Sequence, residues 1–291
     1  MSATIALTVP VAARRSRTLR RFLKHRLAVL GLLIIVAMIL AAALAPWIAP
    51  ADPTDIDIVQ RYAWPGAPGH LLGADDLGRD VLTRLMYAGR ISLSVGLSAM
   101  AVTIVVGFLV GAFAAYLGGW LDSVLMRLAD MVLCFPNVFL LLFVAAFVPP
   151  SLLSIALMIG LTSWMEIARI VHTQIRSLKE QDFIQAARLA GASPLRIVLR
   201  QILPNTLAPL LVAATLNTAN AILLESYISF LGYGIQAPDA SWGNMLTNAQ
   251  SDFEIDPWLA VFPGLAITLA VSSFNFIGDG LRDALDVRLK L

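Results

Sequence analysis

Long runs free of charged residues dominate this chain. Residues 27–51, 91–121, 131–165, 205–224 and 257–278 carry no Asp, Glu, Lys or Arg beyond an occasional flanking position. Their apolar residues do not alternate with polar ones, as they would in half-buried strands, and they outlast the stripe of a soluble amphipathic helix. About 20 mostly apolar residues span roughly 30 Å of hydrocarbon at about 1.5 Å per residue. The 131–165 run is too long for one such helix, and Pro149-Pro150 divides it, so it reads as two helices joined by a tight turn. The pattern therefore predicts six membrane spans. Phe135-Pro136, inside the third, marks a kink rather than a site.

Composition agrees. Of 291 residues, 58% are hydrophobic and 14% charged, with a mean hydropathy of +0.79. A soluble domain averages about 45–50% apolar and about 25% charged. Gly 19, Pro 15 and Cys 1 fit neither a disordered chain, a collagen nor a disulfide scaffold. The single Cys134 sits in an apolar run and reads as a small packing residue.

The scarce charges are sorted by side. Arg14, Arg15, Arg17, Arg20, Arg21, Lys24 and Arg26 precede the first span with no acid among them. The 166–200 segment is also rich in Arg, whereas 225–256 contains Glu225, Asp239, Asp252, Glu254 and Asp256 and no base. With six spans, the basic segments fall on one side, which the positive-inside rule makes the cytoplasm. Both termini are then cytoplasmic. The basic tail and Ala43-Leu44-Ala45 resemble a signal peptide, but the apolar run is longer than an h-region and Pro46 follows the candidate cleavage site, so an uncleaved anchor is expected.

Gly107, Gly111 and Ala115 recur every fourth residue in the second span, a spacing that lets helix backbones approach closely. The partner helix lies either in this chain or in a second subunit. The three histidines, His25, His70 and His172, lie in different segments with no metal-ligand spacing. None of Lys24, Lys179 or Lys290 ends a glycine-rich phosphate loop. Gly278-Asp279-Gly280 has Phe276 where an intramembrane aspartyl protease motif places its first glycine. No catalysis is expected in this chain.

The most informative segment is 176–204. Phe183, Ala187 and Ala190 share a helical face, and Gly191 follows where a left-handed C-cap belongs. Ser193 and Pro194 form a start signal, and Leu195, Val198, Leu199 and Ile202 recur at helical spacing opposite Arg196 and Arg200. Such a helix pair either lies on a lipid surface or docks into a cleft on a cytoplasmic protein.

The order of residues here, Gln185-Ala186-Ala187, Gly191, Ala192, Ser193, Pro194 and then Leu203-Pro204, resembles the EAA loop of binding-protein-dependent ABC permeases. Two positions depart from that pattern: Gln185 replaces a glutamate, and Gln201 stands where isoleucine is frequent. Further blocks resemble the C-type permease subunit of the dipeptide, oligopeptide and nickel branch: Gly73 to Val81 followed by Ser92, Glu225 to Gly234, Ser241-Trp242-Gly243, and Gly278 to Asp283.

The resemblance implies an all-α, six-span subunit of the inner membrane of a prokaryote. Its parts would be a basic cytoplasmic tail (1–26), a first transmembrane helix (27–51), an extracytoplasmic loop (52–90), a permease domain (91–284) with its coupling loop at 176–204, and a cytoplasmic tail (285–291). It also implies a second, homologous permease, two cytoplasmic ATPases that hold ATP and Mg, and an extracytoplasmic binding protein. No cofactor in this chain and no nucleic acid are expected. The cargo would be a dipeptide or oligopeptide, with nickel or another small solute as the alternative. A stand-alone secondary transporter or channel would instead show paired ionisable residues at mid-membrane and an internal repeat.

Glu225 reads either as a pathway-lining anion for a peptide amino group or as a structural acid near a helix end. Asp75, Asp76, Arg79 and Asp80 read equally as contacts for the binding protein or as a solvated turn with internal ion pairs.

Overall fold

In the computed structural model, which describes residues 19–285, the chain is a bundle of helices. A short helical stretch at 19–24 leads into α1, Arg26–Ile48, whose N-terminus His25 caps by accepting from the Ala28 N–H. After a long loop comes α2, Val81–Leu117, followed by α3, Gly119–Leu133, α4, Asn137–Ala145, and α5, Leu152–Lys179. Short α6, Asp182–Leu189, and α7, Pro194–Ile197, precede a π-helical turn, Val198–Ile202, and then α8, Leu203–Phe230. Last come α9, Trp242–Ser251, and α10, Trp258–Leu285. Most of the basic tail and residues 286–291 of the C-terminal tail lie outside the described residues.

Five of these helices are long and apolar enough to cross a membrane, and α3 and α4 form an 88° bent pair that qualifies only when taken together. The Phe135-Pro136 kink and the Pro149-Pro150 division are therefore both present. The anticipated boundaries shift in several places, and α5, expected to end by Met165, runs on through Glu166 to Lys179, as α10 runs past Gly278 to Leu285. The helix expected from 91 starts at Val81, because Asp80 caps it by accepting from the Thr83 N–H at 2.7 Å, and because Arg84 is neutralised locally by Asp75. The helix expected to begin near 131 is already running from Gly119 as α3. The helix expected over 205–224 continues past Glu225 to Phe230 as α8, and helix α9, with Ser241 in a capping box, was not anticipated.

The small-residue stripe resolves to a seam inside the chain. A Cβ on Gly107 would lie 2.8 Å from the Trp164 carbonyl oxygen, and one on Gly111 would lie 2.4 Å from that of Ala168, so α2 and α5 meet backbone to backbone. Apolar side chains gather in three clusters. One joins α1, α2, α9 and α10, and a second joins α2, α4, α5 and α8. The third ties Ile184, Ile197 and Ile202 of the α6–α7 region to Val171 and Ile175 of α5. The short helices are thereby fixed to the long ones.

Candidate functional site

The 176–204 segment is tied by polar and ring contacts to the ends of two long helices. Lys179, at the end of α5, donates its ammonium to the carbonyl oxygens of Ala115 (2.9 Å) and Tyr116 (3.0 Å), the closing turn of α2. A cation there meets the negative end of the helix dipole. Arg188 of α6 stacks over the Tyr116 ring at 5.5 Å, so α6 is tied to α2 as well as to α5. Gln185 donates its amide N–H to the Lys179 carbonyl at 3.2 Å. A glutamate has no proton to give that carbonyl when ionised, so the departure at this position creates a local bond.

The turn after α6 closes with two bonds, Ala192 N–H to the Ala187 carbonyl and Gly191 N–H to that of Arg188, each 3.0 Å. This is the Schellman pattern, and it holds Gly191 at φ +77°, a conformation glycine adopts without Cβ strain. Ser193 then accepts from the Arg196 N–H at 3.4 Å, as its N-cap reading requires. The apolar face differs from the one the periodicity gave. Ile184, not Phe183, is buried, and Ile197 and Ile202 are both fully enclosed. The π-helical turn takes more than four residues, which advances the register and brings positions five apart onto one side. Gln185, Ala186, Ala190, Gly191, Ser193, Pro194 and Pro204 are exposed, Ala187, Ala192 and Leu203 partly so, and Leu189 is 90% exposed. The tip thus presents small residues and one bare leucine.

The 52–80 loop folds around a buried ion cluster. Arg79 Nε donates to Asp75 Oδ2 at 2.8 Å, and Arg84 of α2 approaches the same oxygen at 3.4 Å. Asp80 spends one oxygen on the α2 cap and pairs the other with His70 Nδ1 at 3.1 Å. Asp75, Arg79 and Asp80 are buried, while Asp76 is half-buried and reaches Arg79 at 3.4 Å. Gly78 turns this loop at φ +77°, and a Cβ there would collide with the Asp57 carbonyl. His70 and Arg84, which the sequence did not single out, complete the cluster.

Glu225 is fully enclosed within the chain. Ser92 of α2 donates to Oε2 and Ser229 to Oε1, each at 2.8 Å. The Trp242 N–H at the start of α9 donates to Ser92 Oγ at 3.2 Å, and the Ile235 N–H to Ser229 Oγ at 3.3 Å. Three stretches quoted separately from the sequence, at Ser92, 225–234 and 241–243, meet around this one carboxylate. The Glu225 side chain faces its own bundle and reaches no open surface of the chain.

A family of binding-protein-dependent transport system inner membrane components matches residues 107–291. The chain belongs to this family. The N-terminal transmembrane domain of oligopeptide transport permease C matches residues 15–65 of the same permease. A putative peptide transport system permease protein of Brucella abortus is 42% identical over 275 residues, covering 94% of this chain and 92% of that protein. A putative peptide permease of Brucella ovis is also 42% identical, over 288 residues (98% and 94%). The dipeptide transport system permease protein DppC of Alkalihalophilus pseudofirmus is 40% identical over 267 residues (92% and 88%). The inward-facing MetNI methionine ABC transporter matches in fold with a TM-score of 0.56 at 19% identity, covering 70% of this chain and 97% of that one. The permease is therefore a multi-pass protein of the inner membrane and a transport component rather than an enzyme. No group of three or more His, Cys, Asp and Glu among its described residues could hold a metal ion.

Proposed function

We propose that this permease is one half of the membrane path of an ABC importer for dipeptides or oligopeptides, with a homologous permease as the other half. The relatives named for peptide and dipeptide transport match it over nearly their whole length, and this supports the cargo class. In this reading the bent α3–α4 pair is one span, giving six, and both ends of the chain are cytoplasmic. The α6–Gly191–α7 tip docks into a cleft on an ATPase subunit that binds ATP and Mg. An extracytoplasmic binding protein delivers the peptide.

One observation carries the coupling role. The exposed tip is anchored through Lys179, Arg188 and Tyr116 to the ends of α5 and α2, so a push on the tip reaches two long helices at once. Rigid-body rocking of helix bundles follows from such an anchorage. Glu225 then serves to hold α2, α8 and α9 together rather than to meet cargo, in keeping with its enclosed carboxylate. Asp75, Arg79 and Asp80 act as the frame of the outer loop, and half-buried Asp76 beside exposed Leu77 is the part left for the binding protein. Co-purification tests the assembly. The ATPase subunits should travel with the wild-type permease and be lost when Ala186 and Leu189 are both changed to Glu. Retention of the ATPases by that variant would overturn the docking assignment.

A further inference from the structure

The bend between α3 and α4 opens onto the middles of α5 and α8. A recess there is lined by Asn137, Ser163, Glu166, Asn217 and Asn220 beside Phe135. Asn137 donates to Ser163 Oγ at 3.4 Å, yet its buried Oδ1 accepts nothing. Among the described residues, Glu166, Asn217 and Asn220 have no hydrogen-bond or ion-pair partner for their side chains. Ser163 and Glu166 fall near the middle of Leu152–Lys179, and Asn217 and Asn220 near the middle of Leu203–Phe230. Glu166 and Asn220 are exposed on the surface of the single chain.

Hydrocarbon is a poor neighbour for this face. An acid within a span is costly to place against lipid, so such residues turn toward a bundle interior or a water-filled path. The 88° break also leaves non-helical backbone at residues 134–136, which membranes tolerate only inside protein or along an aqueous cavity. Broken helices of this kind are where transporters place their polar sites. The recess has only about 60 Å³ of free space, enough for one amide or small side chain and too little for a peptide. A recess of that size suits part of a site rather than a whole one.

Its chemistry selects the ligand. Carboxamides donate and accept at once, as a peptide bond does, and they discriminate little between side chains. The one carboxylate offers a partner for an ammonium. A transition-metal cargo would call for imidazoles or several carboxylates, and the recess has no histidine and a single acid. We infer that this recess is the chain's half of a polar station in the translocation path, where Asn137, Asn217 and Asn220 exchange hydrogen bonds with the peptide bonds of passing cargo and Glu166 meets an ammonium group. This rests on the peptide-importer reading above.

The test uses the full transporter with its binding protein in proteoliposomes and trialanine as the probe. Changing both Asn217 and Asn220 to Leu should lower trialanine uptake about tenfold, as expected for two lost amide hydrogen bonds, with assembly and ATP hydrolysis retained. Separately, Asn220→Cys in a Cys134→Ser background should react with a water-soluble methanethiosulfonate, and trialanine under ATP turnover should slow that reaction severalfold. Normal uptake by the double variant, or labelling that trialanine leaves unchanged, would overturn the station. Reaction only with a membrane-permeant maleimide would overturn it too, since the face would then meet lipid or a closed interface. The peptide-importer reading fails on a different result, namely no ATP-driven trialanine uptake by the wild-type complex, which would remove the ligand assigned here as well.

Discussion

Ser92 donates its hydroxyl to Glu225 at 2.8 Å, joining residues 133 positions apart and binding α2 to α8 inside the bundle. The same hydroxyl oxygen receives the Trp242 N–H, so one serine holds three helices together. Ser92→Ala removes one donor to the carboxylate and orphans the Trp242 N–H. The expected cost is about 1–3 kcal/mol, the usual penalty of an unsatisfied buried polar group. It should appear as a lower thermal midpoint of the purified permease in detergent. Glu225→Gln keeps an acceptor and adds a donor for the two serines, so uptake kinetics should match the wild type. A changed affinity for cargo would instead give Glu225 a direct role.

The α2–α5 seam makes a second prediction with an internal control. Gly111→Leu drives a side chain into the backbone at Ala168 and should destabilise by about 2 kcal/mol or more, as overpacking does. Gly264→Ala meets nothing within 4 Å and should be neutral or slightly stabilising in its helix. Detergent melting curves of the two variants decide the point. Equal midpoints would mean that the seam is looser than its backbone spacing implies.

In the 52–80 loop, Asp75 is shared by Arg79 and Arg84. Asp75→Asn leaves two buried guanidinium groups short of a counter-charge, and breaking a buried pair costs about 3–5 kcal/mol. The loop should become sensitive to protease added to the purified permease, while Asp76→Asn should leave it resistant. Equal resistance in both variants would return the cluster to a solvated turn.

Gly191 separates folding from coupling. Among the described residues, and leaving aside its two chain neighbours, no atom lies within 4 Å of a Cβ built there, so a side chain at this turn would extend into open space. Gly191→Asn tolerates the left-handed backbone and should insert normally. Gly191→Asp should insert as well, at a backbone cost of about 1 kcal/mol. Both should abolish binding-protein-dependent uptake. Measured at matched permease abundance, normal uptake by both variants would sink the coupling role of this turn.

Lys179 supplies a fourth contact that a mutation reads cleanly. Lys179→Met keeps the apolar stem but frees the last carbonyls of α2, and should cost about 1–2 kcal/mol for a partly buried charge at a helix C-terminus. The loss should show in thermal unfolding. If Lys179→Met and wild type unfold together, the anchorage of the tip rests on the Arg188–Tyr116 stack and on the buried contacts of Ile184, Ile197 and Ile202.

Much of this molecule is written in local pattern. The apolar runs located the long helices, Pro149-Pro150 and Phe135-Pro136 marked a real division and a real bend, and Gly191 with Ser193-Pro194 placed the turn between α6 and α7 to the residue. These are short-range effects: backbone sterics at glycine and proline, and hydrogen bonds a few residues long. The errors share an opposite character. The helix start at Val81 was hidden because Arg84 and Arg90 look like loop residues until Asp75 is seen beside Arg84. The face of the 194–202 helix was misjudged because a π-helical turn alters the period that the reading assumed. Helix α9 is too short and too polar to stand out.

Local pattern was enough to assign the chain to a bilayer, to place most of the length of its long helices and to show how its charges are distributed along the chain, because those depend on composition and neighbouring residues. Only the tertiary structure decided which polar groups are spent and which are free. Glu225 could be read as a pathway anion or a structural acid and is enclosed by Ser92 and Ser229, whereas Asn217 and Asn220 drew no notice and have no side-chain partners among the described residues. Burial and hydrogen bonding are set by residues far apart in the chain, and no local pattern encodes which helices those residues bring together.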